Sequence, residues 1–282
     1  MRYDLHVHST FSDGSCSPQN LIKQAVGLGL AGIALTDHDT LDGLEAACQY
    51  INNHPIPLEF IPGIELNTEP VEGDNEVHIL GYYIDHNHAE FKARLLEIRE
   101  QRKIRAQKMV QKLDELGCKI SYEKVVSIAG SDLIARPHLA WAMVEAGYVE
   151  NAQKAFDEYL DRGKPAYVSR YKFLPQEAIG LIKASGGIAV LAHPGLIHDQ
   201  TLVQNLIDGG VDGLEVYYPQ HSEQQIKAYL QLAKENKLLI TGGSDYHSPD
   251  SNKSHAKLGA AGIDSGLMAE LKAFKHAKDK IY

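Results

Sequence analysis

Short apolar runs alternate with amphipathic stretches along most of the chain. Residues 3–8, 32–37, 58–66 and 76–84 read as strands, and so do 187–192, 213–218 and 238–242. Helical periodicity covers 18–27, 41–53, 176–185, 201–208 and 223–236, with a last helix over about 267–276. Ser17 is a candidate N-cap and Pro18 suits the first helical position. Strands that are almost wholly apolar, alternating with helices, predict an α/β chain. Its parallel sheet is covered by helices and is closed or nearly closed as a barrel. Residues 89–164 break the rhythm. They carry a long helix over about 90–116, ending at Gly117, then two or three shorter helices and no clear strand. The expected organisation is a barrel from 1–88 and 165–282 with a helical insertion at 89–164. The acidic stretch 69–75 reads as an exposed loop.

Composition narrows the function classes. A chain of 282 residues can bury a sizeable core, and its 44% apolar and 23% charged content is that of a globular protein. The net charge of −9 argues against a protein that grips long nucleic acid by its phosphates. Cys16, Cys48 and Cys118 lack metal-type spacing and fit a reduced compartment. No apolar stretch approaches the ~20 residues of a membrane span, and the N-terminus enters a strand directly. The expected setting is the cytoplasm. A monomer is compatible with the sequence, which does not fix the oligomeric state.

Candidate chemistry lies at the strand ends. His6-Val-His8, Thr36-Asp-His38-Asp39 and Ser244-Asp-Tyr-His247 each join histidine to carboxylate, or pair two histidines, beside an apolar run. Asp13, Glu65, His78 and His193 occupy similar edges. Residues two apart in a strand share a face, so His6 and His8 project together, as would Asp245 and His247 in continued strand geometry. His78 falls early in its strand and fits least well. A single histidine beside a strand is more often a hydrogen-bonded core or loop residue, and His54, His86, His88, His198 and His255 are left to that reading. The joint pattern is different: six histidines and three carboxylates suffice for two or three metal ions. Histidine with carboxylate and no thiolate suits manganese, iron or zinc and disfavours calcium. Asp37 or Asp39 is expected to fix the His38 tautomer, and Glu215 to orient a ligand histidine.

The runs DLHVHSTFSDG, ALTDHDT, GIEL, VHILGY, LAHPG and GSDYH resemble the motifs of the PHP family, the polymerase and histidinol phosphatase phosphoesterases. The resemblance extends from residue 1 to about 250. It implies a distorted (β/α)7 PHP barrel with a trinuclear centre at the C-terminal ends of the strands. By that resemblance His6, His8, Glu65 and Asp245 hold one ion. Glu65 bridges to a second ion held by His78 and His193, and Asp13, His38 and His247 hold the third. Manganese is the first choice for all three, with iron or zinc as alternatives. Three divalent ions outweigh three carboxylate ligands, so the centre is positive and suited to a small phosphorylated substrate. The expected reaction is in-line attack of a metal-bridging hydroxide on phosphorus.

Specificity is expected from the insertion. The run Ala135-Arg136-Pro137-His138 places a planar guanidinium near a histidine. The two would point the same way across an extended Pro137, or Pro137 would start a helix. The subgroup with this run resembles the 3′,5′-nucleoside bisphosphate phosphatases, which include 5′-to-3′ exoribonucleases acting on short RNA. There Arg136 and His138 would contact a substrate phosphate. Arg99, Arg102 and Lys164 are further candidates, with Arg162 and Arg170 nearby where the chain re-enters the barrel. Tyr217 or Tyr218 is a candidate for stacking on a base, and His221 for protonating the leaving oxygen. The leading reading is removal of the 3′-phosphate from nucleoside 3′,5′-bisphosphates, with action on short RNA ends. The alternatives are another PHP phosphomonoesterase, for instance on histidinol phosphate, or a metal-binding regulatory or polymerase-associated module.

Overall fold

The computed structural model describes residues 2–69, 76–130, 134–169, 171–249 and 256–280. Most of the expected acidic loop at 69–75, together with Arg170 and His255, lies outside them. The chain divides into two compact units, Met1–Lys92 with Lys172–Tyr282, and Ala93–Tyr171.

In the first unit the strands are β1 (Arg2–Val7), β2 (Gly32–Leu35), β3 (Glu59–Thr68), β4 (Val77–Tyr82), β5 (Ile188–Leu191), β6 (Gly213–Tyr217), β7 (Leu239–Gly242) and β8 (Ile263–Asp264). They form a sheet in the order β7-β6-β5-β4-β3-β2-β1-β8. Helices α1 (Pro18–Gly27) and α2 (Asp42–Asn53) belong to this unit. So do α7 (Pro175–Ala184), α8 (Gln200–Asp208), α9 (Glu223–Asn236) and α10 (Ser265–Asp279). Ser17 caps α1 through the Asn20 N–H, with Pro18 in the first turn, as the sequence predicts.

The sheet nearly closes. Beyond β7, Tyr246 forms a parallel bridge with Val7 of β1, and the His8 N–H donates to the Tyr246 carbonyl at 2.9 Å. The expected barrel is therefore present, but the expectation of a parallel sheet fails at one strand. β4 runs antiparallel to both β3 and β5. The short β8 was also not expected; it pairs antiparallel with β1 through Arg2 and Tyr3. Leu5, Ala34, Ile61, Leu80, Ile188 and Val190 form a buried cluster with Met268 and Leu271 of α10. Removing this apolar surface from water is the main stabilising term for the barrel.

The second unit carries most of α3 (Ala89–Glu115), with Gly117 at φ 86° just beyond it. It continues with α4 (Tyr122–Ala129), α5 (Arg136–Glu145), α6 (Ala152–Ala155) and a single π-helical turn over Phe156–Leu160. Met109, Leu113, Val125, Leu139, Met143 and Leu160 give it a core of its own. The unit extends past the expected boundary at 164. Arg105 Nε and Lys112 Nζ on α3 donate to the carbonyls of Val168 and Tyr167, both at 2.8 Å, and so tie that segment to the helix. Arg162 and Lys164 are thus exposed residues of this unit and not of the barrel entry.

Candidate metal centre

All nine expected donors lie in the first unit, on or after β1, β2, β3, β4, β5 and β7. His6 sits in β1 and His8 just beyond it; His38 follows β2, His193 follows β5, and Asp245 and His247 follow β7. Glu65 lies within β3 and not at its end. The reversal of β4 explains His78. An antiparallel strand begins where its parallel neighbours end, so an early residue in β4 reaches the same rim. His78 pairs in register with Asn67, two residues beyond Glu65.

Glu65 is the hub. Its Oε2 lies 3.2 Å from His6 Nε2, 3.3 Å from His8 Nε2 and 3.0 Å from His38 Nδ1. Its Oε1 lies 2.8 Å from His78 Nδ1 and 3.2 Å from His193 Nε2. Asp245 Oδ1 approaches His6 Nε2 at 3.3 Å and His8 Nε2 at 3.1 Å. Asp13 Oδ1 is 3.2 Å from His247 Nε2, and its Oδ2 is 3.8 Å from His38 Nε2.

Donor atoms converge in three groups: His6, His8, Glu65 and Asp245; His8, Asp13, His38 and His247; and His38, Glu65 and His78. The first is the expected set. In the other two, His8 joins the Asp13 group, and His38 stands with Glu65 and His78. His193 reaches the same Glu65 oxygen as His78. Among the described residues, the buried atoms His6 Nε2, both ring nitrogens of His8 and Glu65 Oε2 have no hydrogen-bond partner. Buried polar atoms without partners are costly, and ions placed among them would satisfy them. The donor set fits divalent metal.

Surrounding groups aim these donors. Glu215 Oε1 lies 2.9 Å from His6 Nδ1, and Glu215 Oε2 accepts the His193 N–H at 2.8 Å. The Glu215 carboxylate thus holds Nδ1–H and leaves His6 Nε2 open toward Glu65 and Asp245, as expected of a partner that orients a ligand. His247 Nδ1 donates to the Asp245 carbonyl at 2.9 Å, which directs Nε2 to Asp13. The Tyr218 hydroxyl donates to Asp245 Oδ2 at 2.9 Å, leaving Oδ1 for the histidines. Asp39 accepts from the Asn67 N–H and Nδ2, and that Nδ2 lies 3.1 Å from His38 Nδ1. Asp39 therefore acts on His38 through Asn67, while Asp37 does not touch His38 and accepts hydrogen bonds from Ser9 and Ser12.

The backbone is strained here. Asp39, His193 and Asp245 have φ of 48°, 27° and 53°. Such values are unusual for residues other than glycine and are held only where surrounding contacts enforce them. They also correct the strand picture of Asp245 and His247. β7 ends at Gly242, and a left-handed turn brings the pair to the rim.

Charge is tightly coupled. Burial opposes ionisation of Glu65, yet His38, His6 and His78 hold its carboxyl well below the usual range. Burial likewise opposes the charge on His8, but Asp245 and Glu65 push its pKa up to about 10. His6 is also raised: burial opposes its charge, and Glu215, Glu65 and Asp245 outweigh burial.

Other expected residues fall differently. His221 is buried; its Nδ1 donates to the Val216 carbonyl at 2.9 Å and its Nε2 accepts the Gly195 N–H at 3.0 Å. Burial lowers its pKa. Both ring nitrogens serve the main chain, so His221 clamps the segment after His193 and has no proton poised for a leaving group. Tyr217 is half-buried and packs against the apolar cluster.

In the second unit, Arg136 opens α5 with Ala135 as N-cap and Pro137 next, so the run is helical and not extended. The Arg136 guanidinium lies 3.4 Å from Asp161 Oδ1 and over the Phe156 ring at 5.7 Å. His138 Nδ1 accepts the Ala135 N–H at 3.1 Å, which leaves the ring proton on Nε2. Arg99 and Arg102 are half-buried on α3.

Sequence reasoning missed Asp4. It is fully buried and accepts hydrogen bonds from Ser244 N, Ser244 Oγ and Gly259 N at 2.6–2.8 Å. A carboxylate inside the apolar run of β1 was the available signal.

The PHP domain family model matches residues 4–241. The 5′-3′ exoribonuclease Rnm of Salmonella typhimurium is 34% identical over 253 residues, covering 88% of this chain and 85% of that protein. A 3′,5′-nucleoside bisphosphate phosphatase from Chromobacterium violaceum is 35% identical over 252 residues, 87% of each chain. The crystal structure of a protein from Bifidobacterium adolescentis, assigned as a metal-dependent phosphoesterase, matches with a TM-score of 0.83 at 32% identity. That match covers 96% of this chain and 95% of the other.

Proposed function

We propose, from the premise that this chain belongs to the PHP domain family, that it is a metal-dependent phosphatase of nucleoside 3′,5′-bisphosphates. It removes the 3′-phosphate and also acts on the 5′ ends of short RNA. The observation that carries this reading is the convergence of nine histidine and carboxylate donors, Glu65 among them, with buried ring nitrogens of His6 and His8 that make no hydrogen bond. Two relatives at 34% and 35% identity, an exoribonuclease and a bisphosphate phosphatase, support the substrate class.

Three divalent ions held by these residues, manganese first and iron or zinc otherwise, would supply Lewis acidity to phosphoryl oxygens and lower the pKa of bound water. The chain's own residues do the rest. Glu215 keeps the His6 ring oriented, Tyr218 fixes Asp245, and Glu65 stands between the donor groups, with Oε2 toward His6, His8 and His38 and Oε1 toward His78 and His193, where it would be shared between ions. The Asp13 side chain is 28% exposed, more than any other of the nine donors.

Arg136 and His138 bind a substrate phosphate. The guanidinium offers a planar fork matched to two oxygens, and the protonated Nε2 of His138 can donate to a third. Arg99, Arg102 and Lys164 are candidates for a second phosphate. No described helix is long and apolar enough to cross a membrane.

The test is phosphate release by the manganese-loaded protein from adenosine 3′,5′-bisphosphate, 5′-AMP, histidinol phosphate and a 5′-phosphorylated oligoribonucleotide. Preference for the bisphosphate, with turnover of the oligonucleotide, is expected. Preference for histidinol phosphate would overturn the substrate assignment, and no turnover of any would overturn the enzyme reading.

A further inference from the structure

Asp37 stands beside His38 in the chain but does none of a ligand's work. Its side chain is buried, and each oxygen is committed elsewhere. Oδ1 accepts the Ser9 N–H at 2.6 Å and the Ser12 hydroxyl at 2.7 Å, and Oδ2 accepts the Ser9 hydroxyl at 2.7 Å. Ser9 and Ser12 are buried as well. The Ser9 carbonyl in turn accepts the N–H groups of Ser12 at 3.1 Å and Gly14 at 3.0 Å. Residues 9–14 are thereby folded into a compact turn pinned to Asp37, and that turn carries Asp13.

The fold makes room for this clamp. A Cβ on Gly43, in the first turn of α2, would lie 2.6 Å from Asp37 Oδ2 and 3.3 Å from Ser9 Oγ. The helix therefore approaches the carboxylate where no side chain intervenes. Asp13 gains from the arrangement. Its partners His38 and His247 follow β2 and β7 and are tied to the sheet by the His38–Glu65 and Tyr246–Val7 bridges, whereas Asp13 lies in the turn after β1 and is the most exposed of the three. Asp13 is the carboxylate of the donor group of His8, Asp13, His38 and His247, and the clamp holds its turn together with the Ser15 N–H and hydroxyl, which donate to the His247 carbonyl at 2.7 and 3.1 Å.

We propose that Asp37 is a positioning residue specific to the Asp13-containing metal subsite, acting through Ser9 and Ser12. It sets the occupancy of one ion and leaves those around Glu65 and Asp245 in place. The inference rests on the three-ion reading, so the ion count of the unaltered protein is measured first, by plasma mass spectrometry and manganese titration. A count below three would remove the premise and leave the clamp without a subsite. With three ions established, Asp37→Asn is titrated with manganese alongside circular dichroism. Orienting partners of metal ligands typically contribute ~10–100-fold in affinity, and a loss of that size is expected for one ion only. Phosphate release should fall with it and recover at high manganese. Ser12→Ala removes one of the three bonds and should give a smaller loss of the same ion, and it decides the matter if Asp37→Asn does not fold. Unchanged binding of all three ions, or equal loss of all three, would overturn the proposal.

Discussion

At the scale of single residues, the centre depends on groups that hold ligands as much as on the ligands. Glu215→Gln should weaken manganese binding by ~10–100-fold, because the amide cannot serve both the His6 ring and the His193 N–H as an acceptor. Isothermal titration of folded protein measures this. Arg136→Ala should raise KM for adenosine 3′,5′-bisphosphate by ~10–100-fold, the worth of about 1.5–3 kcal/mol in charge-assisted hydrogen bonds, with metal content unchanged. Unaltered KM would remove Arg136 from the substrate site. The ligand histidines were legible in sequence because all but His78 sit within or just beyond an apolar run. The roles of Asp37 and Tyr218 were not, since which side chain a carboxylate or hydroxyl meets depends on contacts between distant segments. Tyr217 and Tyr218 show this well: one strand residue packs inward on apolar neighbours while the next reaches Asp245.

At the scale of elements, strand direction decides what the rim contains. The apolar runs located all seven principal strands, but hydrophobic pattern carries no direction. The reversal of β4, which brings His78 to Glu65, could not be read from it. Packing between elements is equally invisible in sequence. A Cβ on Gly243 would lie 2.3 Å from the His6 Cβ and 2.4 Å from its backbone nitrogen. Gly243→Ala must therefore displace β1 or the turn after β7. It should cost about 1–3 kcal/mol, as overpacking does, and reduce metal affinity together with stability. Denaturant unfolding with and without manganese separates the two effects. A variant as stable and as metal-competent as the parent would show that the close approach is not enforced.

At the scale of the whole molecule, His6 and His247 are neighbours around one charged cluster although they lie near opposite ends of a 282-residue chain. Without metal, that cluster makes stability depend on pH. The His8 pKa is raised from 6.5 to about 10, so its contribution is fully present below 6.5 and is lost as pH rises through 10. Glu65 and Asp245 are lowered from 4.5 and 3.8, so theirs is present above those values and is lost as pH falls below them. Metal-free protein should melt highest between about pH 4.5 and 6.5 and lose stability toward pH 10. Metal must displace the His8 proton, so manganese affinity should rise with pH across that upper range, with proton release seen in buffers of different ionisation enthalpy. A melting temperature flat from pH 6.5 to 10 would show that His8 carries no excess proton.

The central claim is that these donors form one metal centre, and anomalous diffraction from manganese-soaked crystals tests it most directly. Three anomalous peaks are predicted: one among His6, His8, Glu65 and Asp245, one beside Glu65 with His78 and His193, and one among Asp13, His38 and His247. No peak at Glu65, or peaks only at surface carboxylates, would contradict the account.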